Sequence, residues 1–141
     1  VKENPNMHIP VFGNGDIDTP EKALAYRKEY GVDGIMIGRG SIGNPWIFDE
    51  IKHFFATGEH LAAPTVSDRV EAARAHLVHS LEWKGERLGV VEMRRHYANY
   101  FRGLAHFKQH RLVLVTEESP AALHAELDKV AETYSDGISN A

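Results

Sequence analysis

The sequence predicts an α/β plus all-α chain: two βα units of a parallel sheet, followed by a bundle of helices. Three observations predict it. Two short apolar runs, Ile9-Pro10-Val11-Phe12-Gly13 and Asp33-Gly34-Ile35-Met36-Ile37-Gly38, each lead into a glycine-rich loop. Each loop is followed by a helix signal, and strands that alternate with helices imply parallel pairing. After about residue 65 the apolar positions recur only at helical spacing.

Taken in order, the first run reads as a short buried strand with Pro10 near its start, where a missing N–H is tolerated. Asn14-Gly15-Asp16 is the loop after it. Thr19-Pro20-Glu21 opens a helix, with a hydroxyl cap, a proline at the first helical position and an acid in the first turn. Ala23, Leu24 and Tyr26 fall within that helix, and Gly31 ends it. The second run is apolar without alternation, as in a strand covered on both faces. Arg39-Gly40-Ser41-Ile42-Gly43 is the second loop. Asn44-Pro45 then caps a helix carrying Trp46, Ile47, Ile51, Phe54 and Phe55, which stops at Gly58.

In the helical part, Ser67 is expected to cap a helix with Val70, Ala73, Leu77 and Leu81 on one face. A second helix runs from about residue 89 to 104, with Met93, Tyr97, Tyr100, Phe101 and Leu104 at its apolar positions. Leu112-Val113-Leu114-Val115-Thr116 is ambiguous and by propensity alone would be a strand. Ser119-Pro120 opens a last helix with Leu123, Leu127, Val130 and Tyr134 spaced for burial, and residues 135–141 read as a frayed tail.

Two strands are too few for a parallel sheet, which needs several neighbours and cover on both faces. The rest of the sheet is expected upstream of Val1. Consistently, Val1-Lys2-Glu3-Asn4-Pro5-Asn6 reads as neither a signal peptide nor a natural beginning. Residues 1–60 are thus expected to be an incomplete α/β part, with 65–134 a helical domain, of which 67–134 should fold on its own, and 135–141 a tail. The sheet edges of residues 9–38 are expected to be disordered or paired with a second copy, giving a homodimer through exposed strands.

Composition narrows the function. Hydrophobic residues make up 43% and charged residues 26%, an ordinary globular balance. No apolar run approaches the roughly 20 residues of a membrane span. The absence of cysteine removes disulfides, thiolate zinc sites and cysteine catalysis from this stretch. The formal charge is −4, yet it is unevenly spread. Between residues 84 and 111, Lys84, Arg87, Arg94, Arg95, Arg102, Lys108 and Arg111 face only Glu86 and Glu92. Seven bases against two acids make a local +5, leaving −9 elsewhere.

Two constellations carry chemistry. In a (β/α)8 barrel the active face lies at the carboxyl ends of the strands, and the loops after the last two strands often hold phosphate. Gly13-Asn14-Gly15-Asp16 and Gly38-Arg39-Gly40 stand directly after the two runs. Glycines there let main-chain N–H groups approach an anion, the following helix adds its dipole, and Arg39 can grip phosphate oxygens bidentately. Read instead as a tight turn, Asn14-Gly15 would need a second strand beside it, and a helix follows. The second constellation is Glu92-Met93-Arg94-Arg95-His96-Tyr97-Ala98-Asn99-Tyr100-Phe101-Arg102. Arg94, Arg95 and Arg102 suit backbone phosphates, and His96 and Asn99 suit phosphates or RNA hydroxyls. Tyr97, Tyr100 and Phe101 are spaced for burial and read as core.

The histidines give no metal site: His76 and His79 have no third ligand nearby and are read as surface residues. Asp49, Glu50 and Asp128 are read as solvated helix carboxylates.

At these residues the chain resembles the tRNA-dihydrouridine synthase family, of the bacterial, nitrogen-regulation-like type. Ile9-Pro10-Val11 with Gly13-Asn14-Gly15-Asp16-Ile17 resembles that family's barrel strand seven. Ile35-Met36-Ile37-Gly38-Arg39-Gly40 with Gly43-Asn44-Pro45-Trp46-Ile47-Phe48 resembles strand eight and the start of its helix. Arg94-Arg95-His96 with Tyr100-Phe101 resembles the basic signature of its helical domain. The resemblance implies the last two βα units of a (β/α)8 barrel, followed by a C-terminal helical domain that cradles tRNA. It implies FMN, reduced by NADPH, as the cofactor that converts uridine to dihydrouridine in tRNA, in the cytoplasm. Asn14, Gly15, Asp16, Gly38 and Arg39 would meet the FMN phosphate, and Arg94, Arg95, His96, Asn99 and Arg102 the RNA. The family's catalytic cysteine sits in a mid-barrel loop, so no catalytic residue is expected here and the chain alone should be inactive. The competing expectation is a helical RNA-binding or dimerisation module carrying the remnant of a different FMN or sugar-phosphate barrel.

Overall fold

In the computed structural model, residues 4, 6 and 8–135 are described. They form two strands and six α-helices, in two compact units, Val1–Ala62 and Ala63–Ala141.

The first unit holds β1 (Phe12–Gly13), α1 (Pro20–Tyr30), β2 (Gly34–Ile35), a 3-10 turn (Arg39–Ser41) and α2 (Ile47–Thr57). The strands pair in parallel, as the alternation with helices predicts, with Phe12 opposite Gly34 and Gly13 opposite Ile35. Beyond the paired residues, Asp33 N–H donates to Val11 O and Met36 N–H to Gly13 O, each at 2.8 Å. Asp33 also accepts from the Val11 N–H at 2.7 Å through its carboxylate. Both strands are shorter than the apolar runs suggest, and they are not buried. Phe12 is 67% and Met36 55% exposed. A parallel strand is normally covered by helices on both faces. Here the core lies on one side only, where Ile17, Ala23, Ile47 and Ile51 pack with Tyr26, Ile35, Ile37 and Phe55.

Thr19 caps α1 as expected, its hydroxyl accepting from the Lys22 N–H, and Gly31 closes the helix in the left-handed region at φ 59°. Asn44-Pro45 is not the cap of α2. That helix starts at Ile47 with Trp46 at the cap position and no side-chain cap bond, and Gly58 closes it.

The second unit packs α3 (Val66–Lys84), α4 (Glu86–Tyr100), α5 (Lys108–Thr116) and α6 (Pro120–Thr133) around Val70, Leu77, Met93, Tyr97, Leu114, Leu123 and Leu127, all with essentially no exposure. Thr65, not Ser67, caps α3. Its hydroxyl accepts from the Asp68 N–H while the Asp68 carboxylate accepts from the Thr65 N–H, a reciprocal capping box. The helix expected from residue 89 begins three residues earlier, directly after Gly85.

The ambiguous Leu112–Thr116 stretch is helical, within α5. Only Leu114 of this stretch is fully buried, and it packs in the common core, so tertiary contact overrides local β propensity. Ser119 caps α6 as predicted. The tail lies, from residue 136 onward, outside the described residues. At the turn between α3 and α4, Trp83 is 86% exposed. Among the described residues no helix is long and apolar enough to cross a membrane.

Candidate functional site

In the first unit, Asn14, Gly15, Asp16, Ile17, Gly38, Arg39 and Gly40 line one cleft, so the two loops predicted to act together do meet. Parallel pairing of β1 with β2 brings both strand ends to the same edge. Gly40 then fits against the other loop: a Cβ there would lie 2.5 Å from Ile17 O and 3.2 Å from Asp18 Cα. Only a residue without a side chain permits that approach. Asp16 takes a left-handed backbone at φ 46°, a conformation in which Asp is tolerated better than most residues. Its carboxylate accepts a hydrogen bond from the Arg39 guanidinium. Both side chains remain largely exposed, so a ligand can reach them.

The structure adds a residue that the sequence reading passed over. Lys22 in the first turn of α1 donates to Asp16 O at 3.0 Å and to Asp18 Oδ1 at 2.9 Å. The Asp18 hydrogen bond raises the lysine's pKa and lowers that of Asp18. A base at a helix N-terminus opposes the helix dipole. Lys22 in that place was therefore a signal that something acidic holds it. Tyr26 occupies the space a side chain on Gly15 would need: a Cβ there would lie 2.6 Å from the tyrosine hydroxyl.

In the second unit, the residues of α4 and the turn after it that were read as RNA-facing fall into two groups. Arg95, His96, Asn99 and Arg102 form a hydrogen-bonded string. Arg95 Nε donates to His96 Nε2 at 3.2 Å, Asn99 Nδ2 to Arg95 O at 3.1 Å, and Arg102 Nη2 to Asn99 Oδ1 at 2.8 Å. Arg94 stands apart, half-buried, with its Nε enclosed and unpartnered. Tyr97, Tyr100 and Phe101 are buried, as their spacing predicts. Glu92 joins the string, binding Arg95 Nη2 at 2.5 Å and the Lys84 ammonium. Those cations hold the Glu92 carboxyl below its usual range, Lys84 foremost.

His76 is not simply a surface residue. Its ring lies 4.6 Å from that of His96, and its Nδ1 is 3.2 Å from the Tyr100 hydroxyl. His79 is exposed, as are Asp49 and Asp128, although Asp128 pairs with Arg74 at 2.5 Å. Glu50 is partly buried and meets His60 at 3.1 Å. Among the described residues no group of three or more histidine or carboxylate side chains gathers to hold a metal.

The first unit is thus a parallel α/β piece with a glycine-lined cleft and a guanidinium at its strand ends, and the second is a helical unit whose basic side chains gather on α4 and the turn after it. The family model described as Dihydrouridine synthase (Dus) matches residues 1–136, and the chain belongs to that family. It is 36% identical over 134 residues to the "Probable tRNA-dihydrouridine synthase" of Rickettsia conorii, covering 95% of this chain and 39% of that protein. It is 47% identical over 94 residues to the "Probable tRNA-dihydrouridine synthase 1" of Synechocystis, covering 67% of this chain and 26% of that one. To "tRNA-dihydrouridine synthase B" of Pseudomonas aeruginosa it is 43% identical over 105 residues, covering 74% and 32%. The chain thus spans well under half the length of these curated relatives.

Proposed function

We infer that this chain is the part of an FMN-dependent tRNA-dihydrouridine synthase that holds the flavin phosphate and grips tRNA. In this reading residues 1–60 are the last two βα units of a (β/α)8 barrel, and residues 65–134 are a C-terminal tRNA-binding bundle. The whole enzyme is a cytoplasmic oxidoreductase that reduces uridine in tRNA, with NADPH restoring the flavin. The observation that carries the reading is the meeting of Gly15 and Asp16 with Gly38, Arg39 and Gly40 in one cleft, in a chain of this family.

The residues present suit a phosphate monoester. Gly40 leaves no side chain between the loops, so main-chain N–H groups stay within reach of an anion. Arg39 supplies a planar, permanently charged fork. Asp16 is the opposing charge in the cleft lining, and its bond to Arg39 aims the guanidinium. Bound there, FMN would supply the hydride chemistry. This chain's share is to fix the phosphate end of that cofactor, and no residue here is assigned to attack or protonate the uracil. The chain by itself is expected not to reduce uridine. The string from Arg95 in α4 to Arg102 in the turn after it would meet the tRNA backbone, with recognition by shape and phosphate rather than by groove sequence.

The test is made on the full-length protein. It should purify yellow, bind FMN far better than riboflavin, and form dihydrouridine in unfractionated tRNA when NADPH is supplied. A colourless protein indifferent to FMN would sink the assignment.

A further inference from the structure

We propose that His96 and Arg95 form a proton-gated phosphodiester site on the α3–α4 face, with His76 positioning His96. The proposal rests on the tRNA reading above and specifies how one contact is made.

The geometry begins with the proton. Arg95 Nε–H donates to His96 Nε2 at 3.2 Å, so that nitrogen carries no hydrogen and the ring is neutral. If Nε2 takes a proton from solvent, the acceptor becomes a second donor. Two cationic N–H groups then stand side by side, and their repulsion is relieved only by an anion that accepts from both. A phosphodiester oxygen does so without losing or gaining a bond. One proton moves from water to Nε2, and the Arg95–His96 hydrogen bond is exchanged for two bonds to the oxygen.

What keeps His96 uncharged beforehand is its setting. The His76 ring lies 4.6 Å from that of His96 and is itself tied to the Tyr100 hydroxyl at 3.2 Å. Burial is the largest influence on each histidine and pushes both below the ordinary imidazole value. The charged and titratable groups acting on the pair are His79 and Lys84 from α3, with Glu92 and Arg95 from α4. The cations oppose protonation of the pair and Glu92 favours it. Glu92 is already engaged by Lys84 and Arg95, so an arriving anion is what tips the balance. The charge also continues past the end of α4: Arg102, in the turn after the helix, donates to Asn99 Oδ1 at 2.8 Å, and Asn99 Nδ2 donates to Arg95 O at 3.1 Å. A repeating polyanion fits that arrangement better than a free phosphate ion does.

The experiment is calorimetric titration of the full chain with unfractionated tRNA, between pH 6 and pH 8, in buffers of different protonation enthalpy. The expected result is uptake of up to about one proton per site near neutral pH, with affinity rising roughly three- to tenfold per pH unit as pH falls. His96→Gln, which keeps a hydrogen-bonding side chain, should abolish the uptake and flatten the pH profile. His76→Gln should move the uptake to higher pH by releasing His96 from its buried neighbour, a shift that a merely structural role does not produce. Inorganic phosphate at millimolar concentration should give no comparable uptake. If it does, the site belongs to a small anion and the polymer assignment is overturned. Equal proton uptake in wild type and His96→Gln overturns the proposal while leaving tRNA binding intact. Failure to bind tRNA at any pH refutes the reading beneath it.

Discussion

The Arg39 guanidinium is bonded to the Asp16 carboxylate across 23 residues of sequence, so the base of one loop is held by the acid of the other. With both side chains mostly in solvent, that pair adds little to stability, typically 0 to about 1 kcal/mol. Its worth is positional. Replacing Arg39 by Ala in the full-length protein should weaken FMN binding roughly ten- to a hundredfold, the scale of a charged hydrogen bond. The melting temperature should hardly move. Flavin fluorescence titration measures the first and calorimetry the second; an unchanged affinity would remove Arg39 from the site.

Gly89 lets the backbones of α3 and α4 approach closely. A Cβ on it would lie 2.8 Å from Ser80 O and 2.9 Å from the Leu81 N and Cα, all of them main-chain atoms that cannot swing aside. Alanine gains about 1 kcal/mol of helix propensity over glycine, but overpacking costs about 1–3 kcal/mol. The second effect should win. Gly89→Ala is expected to lower the urea midpoint of the helical unit, and a raised midpoint would contradict the packing described.

Tyr97 presents the opposite case, a ring with no exposure whose hydroxyl finds no partner. Burial alone holds that phenol well above its ordinary pKa. An unsatisfied buried hydroxyl costs about 1–3 kcal/mol, so Tyr97→Phe should leave stability unchanged or raise it. Equilibrium unfolding that showed a loss of more than about 1 kcal/mol would mean that the hydroxyl has a partner after all.

His60 bridges two acids, its Nε2 2.6 Å from Glu21 and its Nδ1 3.1 Å from Glu50. The Glu50 hydrogen bond, followed by that of Glu21, raises the imidazole above its usual 6.5. A pKa raised in the folded state gives stability that is fully present below the unfolded value and is lost as pH rises through the folded value. The first unit should therefore become less stable as pH climbs from about 6.5 through the raised value. His60→Gln should erase that slope, as thermal melts across the window would show. A wild-type slope of the other sign would refute the bridge.

Much of this was legible because it rests on local chemistry. Thr19-Pro20 and Ser119-Pro120 announced α1 and α6, and Gly31 and Gly58 closed their helices, since caps are read within a few residues. The convergence of the two loops followed from parallel strands with glycines at their ends. Elsewhere the decisive contact was distant or the local signal was divided. Leu112–Thr116 favours a strand until Leu114 meets the helical core. Thr65 and Ser67 both offer a hydroxyl, and only the reciprocal bond with Asp68 selects the first. Neither the Lys22 grip on Asp16 nor the tilted ring contact of His76 with His96 is readable from spacing, because each joins separate elements.

One further property follows from Trp83, which stands almost wholly in solvent where α3 turns into α4. Its indole is the more exposed of the two in the chain and should emit at long wavelength and quench readily with acrylamide. Anything settling over the turn would dim that emission or shift it to the blue. The molecule therefore carries an optical reporter of its own at that turn, usable without any dye.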